Sequence, residues 1–155
     1  MISHHIRYIM SLCIVAVLSN NIMLYAAADT KINVERLEPR VSFFVLPYMK
    51  IVDYYLGDSK VGMIKYEEDT VGYISRIKVK KEFRLQGVGG YMLKRAIEDL
   101  TQAGYTEIQL SPSPFEAPVM DWTREREKLI SFYQKHGFQV TNPFSKQMHL
   151  ITSQK

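Results

Sequence analysis

The stretch that decides the fold runs from Val79 to Leu100 and reads V-K-K-E-F-R-L-Q-G-V-G-G-Y-M-L-K-R-A-I-E-D-L. A run rich in β-branched residues, Val71 to Val79, leads into it and predicts a strand. Gly87, Gly89 and Gly90 then mark a turn, and Met92, Leu93, Ala96, Ile97 and Leu100 follow at helical spacing. Strand, glycine loop and helix in that order suit an anion. Glycines leave the backbone N–H groups unobstructed, and a helix start adds unpaired donors and a partial positive charge. Two better-known glycine loops fit worse. A dinucleotide fingerprint needs a third glycine where Met92 stands, and a P-loop needs Gly-Lys-Ser/Thr where Gly89-Gly90-Tyr91 stands.

Upstream, Lys50 to Leu56 and Val61 to Tyr66 read as two more strands, separated by Gly57-Asp58 and bounded by Glu67-Glu68-Asp69. With Val71 to Val79 they make an antiparallel meander. Before them, Ile32, Val34 and Leu37 open a first strand that Pro39 is expected to end, and Val41 to Met49, with Pro47 inside it, connects the first strand to the second.

Downstream, the helix is expected to stop at Gly104, and Tyr105 to Leu110 alternates as a fifth strand, parallel to the fourth because a helix connects them. Ser111 to Thr123 holds Pro112, Pro114 and Pro118, which forbid regular structure, so this stretch is read as a long loop. Its Phe115 and Trp122 either line an acceptor pocket or cover core surface. A helix over Arg124 to His136, capped by Gly137, and a strand-rich end to Ile151 complete the chain.

Two motifs carry a family resemblance. Arg84, Gly87 and Gly89 fill R-x-x-G-x-G, and Phe132-Tyr133-Gln134-Lys135-His136-Gly137-Phe138 fills F-Y-x-x-x-G-F. In this order they resemble the acyl-CoA pyrophosphate loop and the fourth-helix ending of the GNAT superfamily of N-acyltransferases, a likeness that covers about Lys31 to Leu150. The resemblance implies an α/β (α+β) mixed sheet, with the meander followed by strand, glycine loop, helix and strand. The helical region after the first strand is shortened, since that family usually places two helices there.

The resemblance also implies a site. Backbone amides of Gln86, Gly87, Val88, Gly89 and Gly90, with Arg84, would hold the pyrophosphate, and backbone groups of Ile77 and Val79 would pair with the pantetheine arm. Tyr133 would stand beside the thioester sulfur as a general acid. Acetyl-CoA is the expected acyl donor and cosubstrate, a primary amine on a small molecule, peptide or protein the expected acceptor, and no metal is expected. In members that use a fourth-strand glutamate, register counted back from the glycine loop puts that position at Tyr73. The place of an asparagine after the fifth strand is taken by Ser111 or the proline-rich loop. The general base is therefore left open among Glu67, Glu68, Glu116, Asp121 and His136. The alternative to an enzyme is a non-catalytic GNAT-fold module that binds CoA or a partner.

Composition sets the remaining bounds. The 155 residues suffice for one domain, and 46% hydrophobic with 23% charged residues describes a globular chain. Lys78, Lys80, Lys81, Arg84, Lys94 and Arg95 flank the glycine loop and would attract a polyanion. Despite a pI near 9.1, nucleic acid is not the expected partner, because the net charge is only +4 and acidic residues are interleaved over the rest of the chain.

Residues 1–28 read as a secretory signal peptide ahead of a domain over 29–155. Arg7 precedes an apolar run from Tyr8 to Leu18, and Ala26-Ala27-Ala28 offers a cleavage site before Asp29. The expected location is therefore exported, periplasmic or secreted. A cytoplasmic protein with a mis-assigned start, at Met10 or Met23, is the alternative, and an uncleaved anchor is disfavoured by Ser19, Asn20 and Asn21. Cys13, the one cysteine, lies in this segment, so the mature chain would have neither a disulfide nor a cysteine nucleophile.

Overall fold

Seven strands and two helices are laid out in a computed structural model that describes residues 31–46 and 48–152. The expected signal peptide lies outside the described residues, and Asn33–Lys155 is one compact unit. Among the described residues no helix is long and apolar enough to cross a membrane.

The first strand is where the sequence misleads. Val34–Arg36 is a single 3-10 turn, with the Asn33 side chain accepting from the Glu35 N–H at 3.1 Å. Strand β1 then runs Glu38–Leu46 straight through Pro39, the residue expected to end it. The reason is position. β1 is the sheet's edge and pairs only with β2 (Met49–Leu56), and an edge strand tolerates the N–H that proline lacks. The expected connector, Val41 to Met49, is instead mostly strand, since β1 extends to Leu46 and β2 starts at Met49, which leaves no room for the family's two helices.

β3 (Ser59–Glu68) and β4 (Gly72–Val79) complete the expected meander. Helix α1 (Val88–Gln102) carries the chain across to β5 (Glu107–Leu110), which pairs parallel with β4 as read from the sequence. Helix α2 (Trp122–Gln134) begins two residues before the expected Arg124, and β6 (Gln139–Val140) and β7 (Met148–Ile151) follow. The sheet order is β1-β2-β3-β4-β5-β7-β6.

Both helices lie on one face of the sheet. α1 buries Val88, Met92, Leu93, Ala96 and Leu100, with Met92 against Gly62 of β3 and Leu100 against Gly72 of β4. Each of the larger of these side chains, Val88, Met92, Leu93 and Leu100, contributes about 1.5–3 kcal/mol on removal from water. The Tyr66 hydroxyl donates to Asp99 Oδ2 at 2.7 Å and ties β3 to α1. α2 comes in beside the start of α1, with Phe132 near Gly89 and His136 near Gly90, and Gly137 just beyond it meets Leu150 of β7. Ile74, Ile108, Leu110, Phe138 and Met148 fill the space beneath.

Candidate active site

β4 and β5 part. Their ladder consists of Gly72↔Ile108, Tyr73↔Gln109 and Ile74↔Leu110, after which β5 ends while β4 continues to Val79. A bulge at Ser75, seen as a register shift against Lys65 and Tyr66 of β3, sits where the two strands separate. The Lys80 N–H donates to Val61 O at 2.9 Å, so the alternation of a strand turns the backbone groups of Arg76 and Lys78 toward β3. Those of Ile77 and Val79 face the opening.

The glycine loop closes one end of that opening. Leu85 has φ 61° and Gly87 φ 86°, with Gln86 outside the positive region between them. Backbone whose φ alternates in sign in this way turns successive N–H groups into one concavity, an anion-binding nest. The first turn of α1 adds to it. The first helical bond runs from the Tyr91 N–H to Gly87 O at 3.0 Å, so the amides of Val88, Gly89 and Gly90 have no acceptor within the helix. Gly90 has a second duty, since a Cβ there would lie 3.0 Å from His136 Nε2.

Tyr133 comes from the last turn of α2. Its ring packs edge-on against Phe132, 5.1 Å away at 65°, and against Phe138, 6.0 Å away at 68°. It is 8% exposed, and burial alone pushes its phenol up to about 12. Among the described residues none hydrogen-bonds the hydroxyl, and the residue lines the cleft.

The proline-rich loop forms the far wall. Ser113 to Pro118 line a cavity of about 930 Å³ together with Arg76 to Val79, the glycine loop and the α2 residues Glu125, Lys128, Leu129, Phe132 and Tyr133. Phe115 lies under the Arg76 guanidinium at 4.8 Å. Glu116 reaches across to Lys78 Nζ at 2.8 Å and to an Arg84 terminal nitrogen at 2.5 Å. Hydrogen bonds from Lys78 and then Arg84 hold its carboxyl down to about 2.

Of the residues expected in the site, Ile77, Val79, Arg84, Gly87, Gly89, Gly90 and Tyr133 line this one cavity. Gln86 and Val88 do not. The Gln86 side chain donates back to Glu82 O at 2.9 Å, and Val88 is buried under the helix, leaving each only its amide to offer. Arg84 is already engaged, with Nε donating to Val79 O at 2.9 Å. Phe115 lines the cavity and Trp122 does not. Among the base candidates, Glu116 and Asp121 line it, whereas Glu67 and Glu68 end β3 and lie outside. His136 holds Nδ1 against Phe132 O at 2.9 Å and turns Nε2 to Gly90. Leu85, Glu125 and Lys128 also line the cavity and were not foreseen. Among the described residues no group of three or more His, Cys, Asp or Glu is placed to hold a metal ion.

The acetyltransferase (GNAT) domain family matches residues 39–140. Solved structures share the fold at low identity. The PaiA N-acetyltransferase of Thermoplasma acidophilum, in complex with coenzyme A, is 19% identical with a TM-score of 0.56, over 68% of this chain and 62% of its own. This chain thus spans less than two thirds of that protein's length. A GNAT family acetyltransferase of Elizabethkingia anophelis with acetyl-CoA bound is 15% identical with a TM-score of 0.57, over 75% and 97% respectively. An acetyltransferase of Thermus thermophilus is 18% identical with a TM-score of 0.53, over 70% and 66%. No curated protein sequence matches the chain.

Proposed function

Because the chain belongs to the GNAT acetyltransferase family, we propose that it transfers an acetyl group from acetyl-CoA to a primary amine. The observation that carries this reading is the convergence on one cavity of the parted β4 edge, the unpartnered amides at the start of α1 and Tyr133. Two of the similar solved structures hold coenzyme A or acetyl-CoA, which supports the same donor here.

In this reading the loop amides from Gln86 to Gly90 take the pyrophosphate, and the backbone of Ile77 with the N–H of Val79, whose carbonyl Arg84 holds, pairs with the amide-bearing arm as an added strand would. The thioester then comes to rest near the Ile74 and Leu110 ends of the ladder. The amine nitrogen bonds to the acetyl carbon, the carbon–sulfur bond breaks, and the departing thiolate takes the proton of the Tyr133 hydroxyl. The amine's lost proton passes to solvent, from which Tyr133 is reprotonated. Holding both reactants in one cleft supplies much of the acceleration.

One observation favours the alternative of a non-catalytic CoA-binding module: Tyr73, the position of the family's carboxylate, offers no base. The deciding experiment incubates the full chain with acetyl-CoA and a panel of small amines, polyamines and peptides, and follows free thiol. Thiol release dependent on one acceptor class establishes the transfer. Tight CoA binding with no release across the panel establishes the module.

A further inference from the structure

The strongest unassigned feature is the bridge across the cleft, in which one carboxylate holds two cations that line the cavity beside the glycine loop. Glu116 Oε1 lies 2.8 Å from Lys78 Nζ and Oε2 lies 2.5 Å from Arg84. All three side chains are about half exposed and line the cavity that the loop amides face. Arg84 cannot easily turn away, because its Nε is fixed on Val79 O. Lys78 is placed by β4. The carboxylate is carried on a loop whose own turns, Phe115 N–H to Ser113 O and Ala117 N–H to Pro114 O, do not depend on the bridge.

We propose that Glu116 sets the affinity of the cleft for its donor by standing in for a phosphate. Its carboxylate occupies Lys78 and Arg84, and a phosphate-bearing donor must displace it to reach them. This rests on the reading of the cleft as an acyl-CoA site. A phosphate oxygen replaces a carboxylate on an arginine and a lysine with equal geometry and greater charge, so the exchange is feasible. Its cost is the bridge that is lost together with the repulsion between the released carboxylate and the incoming anion. Competition of this kind acts only on ligands that carry phosphate. It would leave untouched the part of the donor that lies along β4.

The test titrates coenzyme A and pantetheine, which has the arm but no phosphate, into the full chain and its Glu116→Gln variant by calorimetry. The substitution is on an exposed loop side chain, and circular dichroism checks that the fold is kept. Glu116→Gln is expected to bind coenzyme A about threefold to tenfold more tightly, the range set by exposed ion pairs, and pantetheine with unchanged affinity. Coenzyme A binding that the variant leaves equal or weakens overturns the proposal and makes Glu116 a support of the cleft wall. An equal gain for pantetheine overturns it too, since the effect would then not be competition for phosphate. Failure of both proteins to bind coenzyme A overturns the reading of the cleft itself and the proposal with it.

Discussion

Tyr133 is the residue on which catalysis rests in this account. Its ring is held by Phe132 and Phe138, and burial keeps the phenol protonated to about pH 12, as a proton donor requires. Tyr133→Phe preserves the ring packing. It is expected to lower kcat about a hundredfold or more while leaving acetyl-CoA affinity within about twofold, measured by steady-state kinetics and calorimetry. A hydroxyl that served only the fold would cost about 1 kcal/mol of stability and leave kcat unchanged. The residue was legible because it sits in a local pattern, F-Y-x-x-x-G-F. For Glu116 the sequence offers only a place among the possible bases, and its bridge to Arg84 is not legible there. That contact joins residues 32 apart, and the path of a loop shaped by three prolines brings them together rather than any local spacing.

At the scale of elements, the glycine loop and α1 were readable because their signals are short in range. Gly87 does take a left-handed φ, and Gly104 ends the helix with φ 97°. Gly87→Val places a β-branched side chain in that region, and a fall in stability of about 1–2 kcal/mol is expected in chemical denaturation, with lost acetyl-CoA binding. Gly89 tests the ligand alone, since its φ is not positive and a Cβ there meets only Val79 and Phe132 at 3.6 and 3.8 Å. Gly89→Ala should therefore stay folded and yet bind acetyl-CoA less tightly; an unchanged affinity would take that amide out of the site. Under α1, Leu100 is fully buried against Gly72, and Leu100→Ala is expected to cost about 2–5 kcal/mol. The first strand was misread for a reason of place. Whether proline stops a strand depends on its being central or at an edge, and the local sequence around Pro39 does not say which.

Among the described residues, three buried tyrosines couple the fold to alkaline pH. Burial pushes Tyr54 and Tyr133 up to about 12, and burial with the Asp99 hydrogen bond pushes Tyr66 higher. Their folded values exceed the unfolded value near 10, so the folded state holds protons that the unfolded state releases. Stability is thus complete below pH 10 and is lost as pH rises toward 12, by up to about 1.4 kcal/mol per pH unit for each tyrosine. Denaturant midpoints measured from pH 8 to pH 11.5 should fall only above about pH 10, and a flat profile would place these hydroxyls in water. The meander and the parallel β4–β5 pair were legible from local patterns, whereas the insertion of β7 between β5 and β6 was not. The cleft's far wall was not, because it depends on where a long loop crosses the sheet. The central claim is that the parted β4 edge and the start of α1 together receive acetyl-CoA. Hydrogen exchange of the full chain with and without saturating acetyl-CoA tests it directly, and slowed exchange is expected at the amides of Ile77, Val79 and Gln86 to Gly90. Binding that leaves those amides unprotected, or no binding at all, would contradict it.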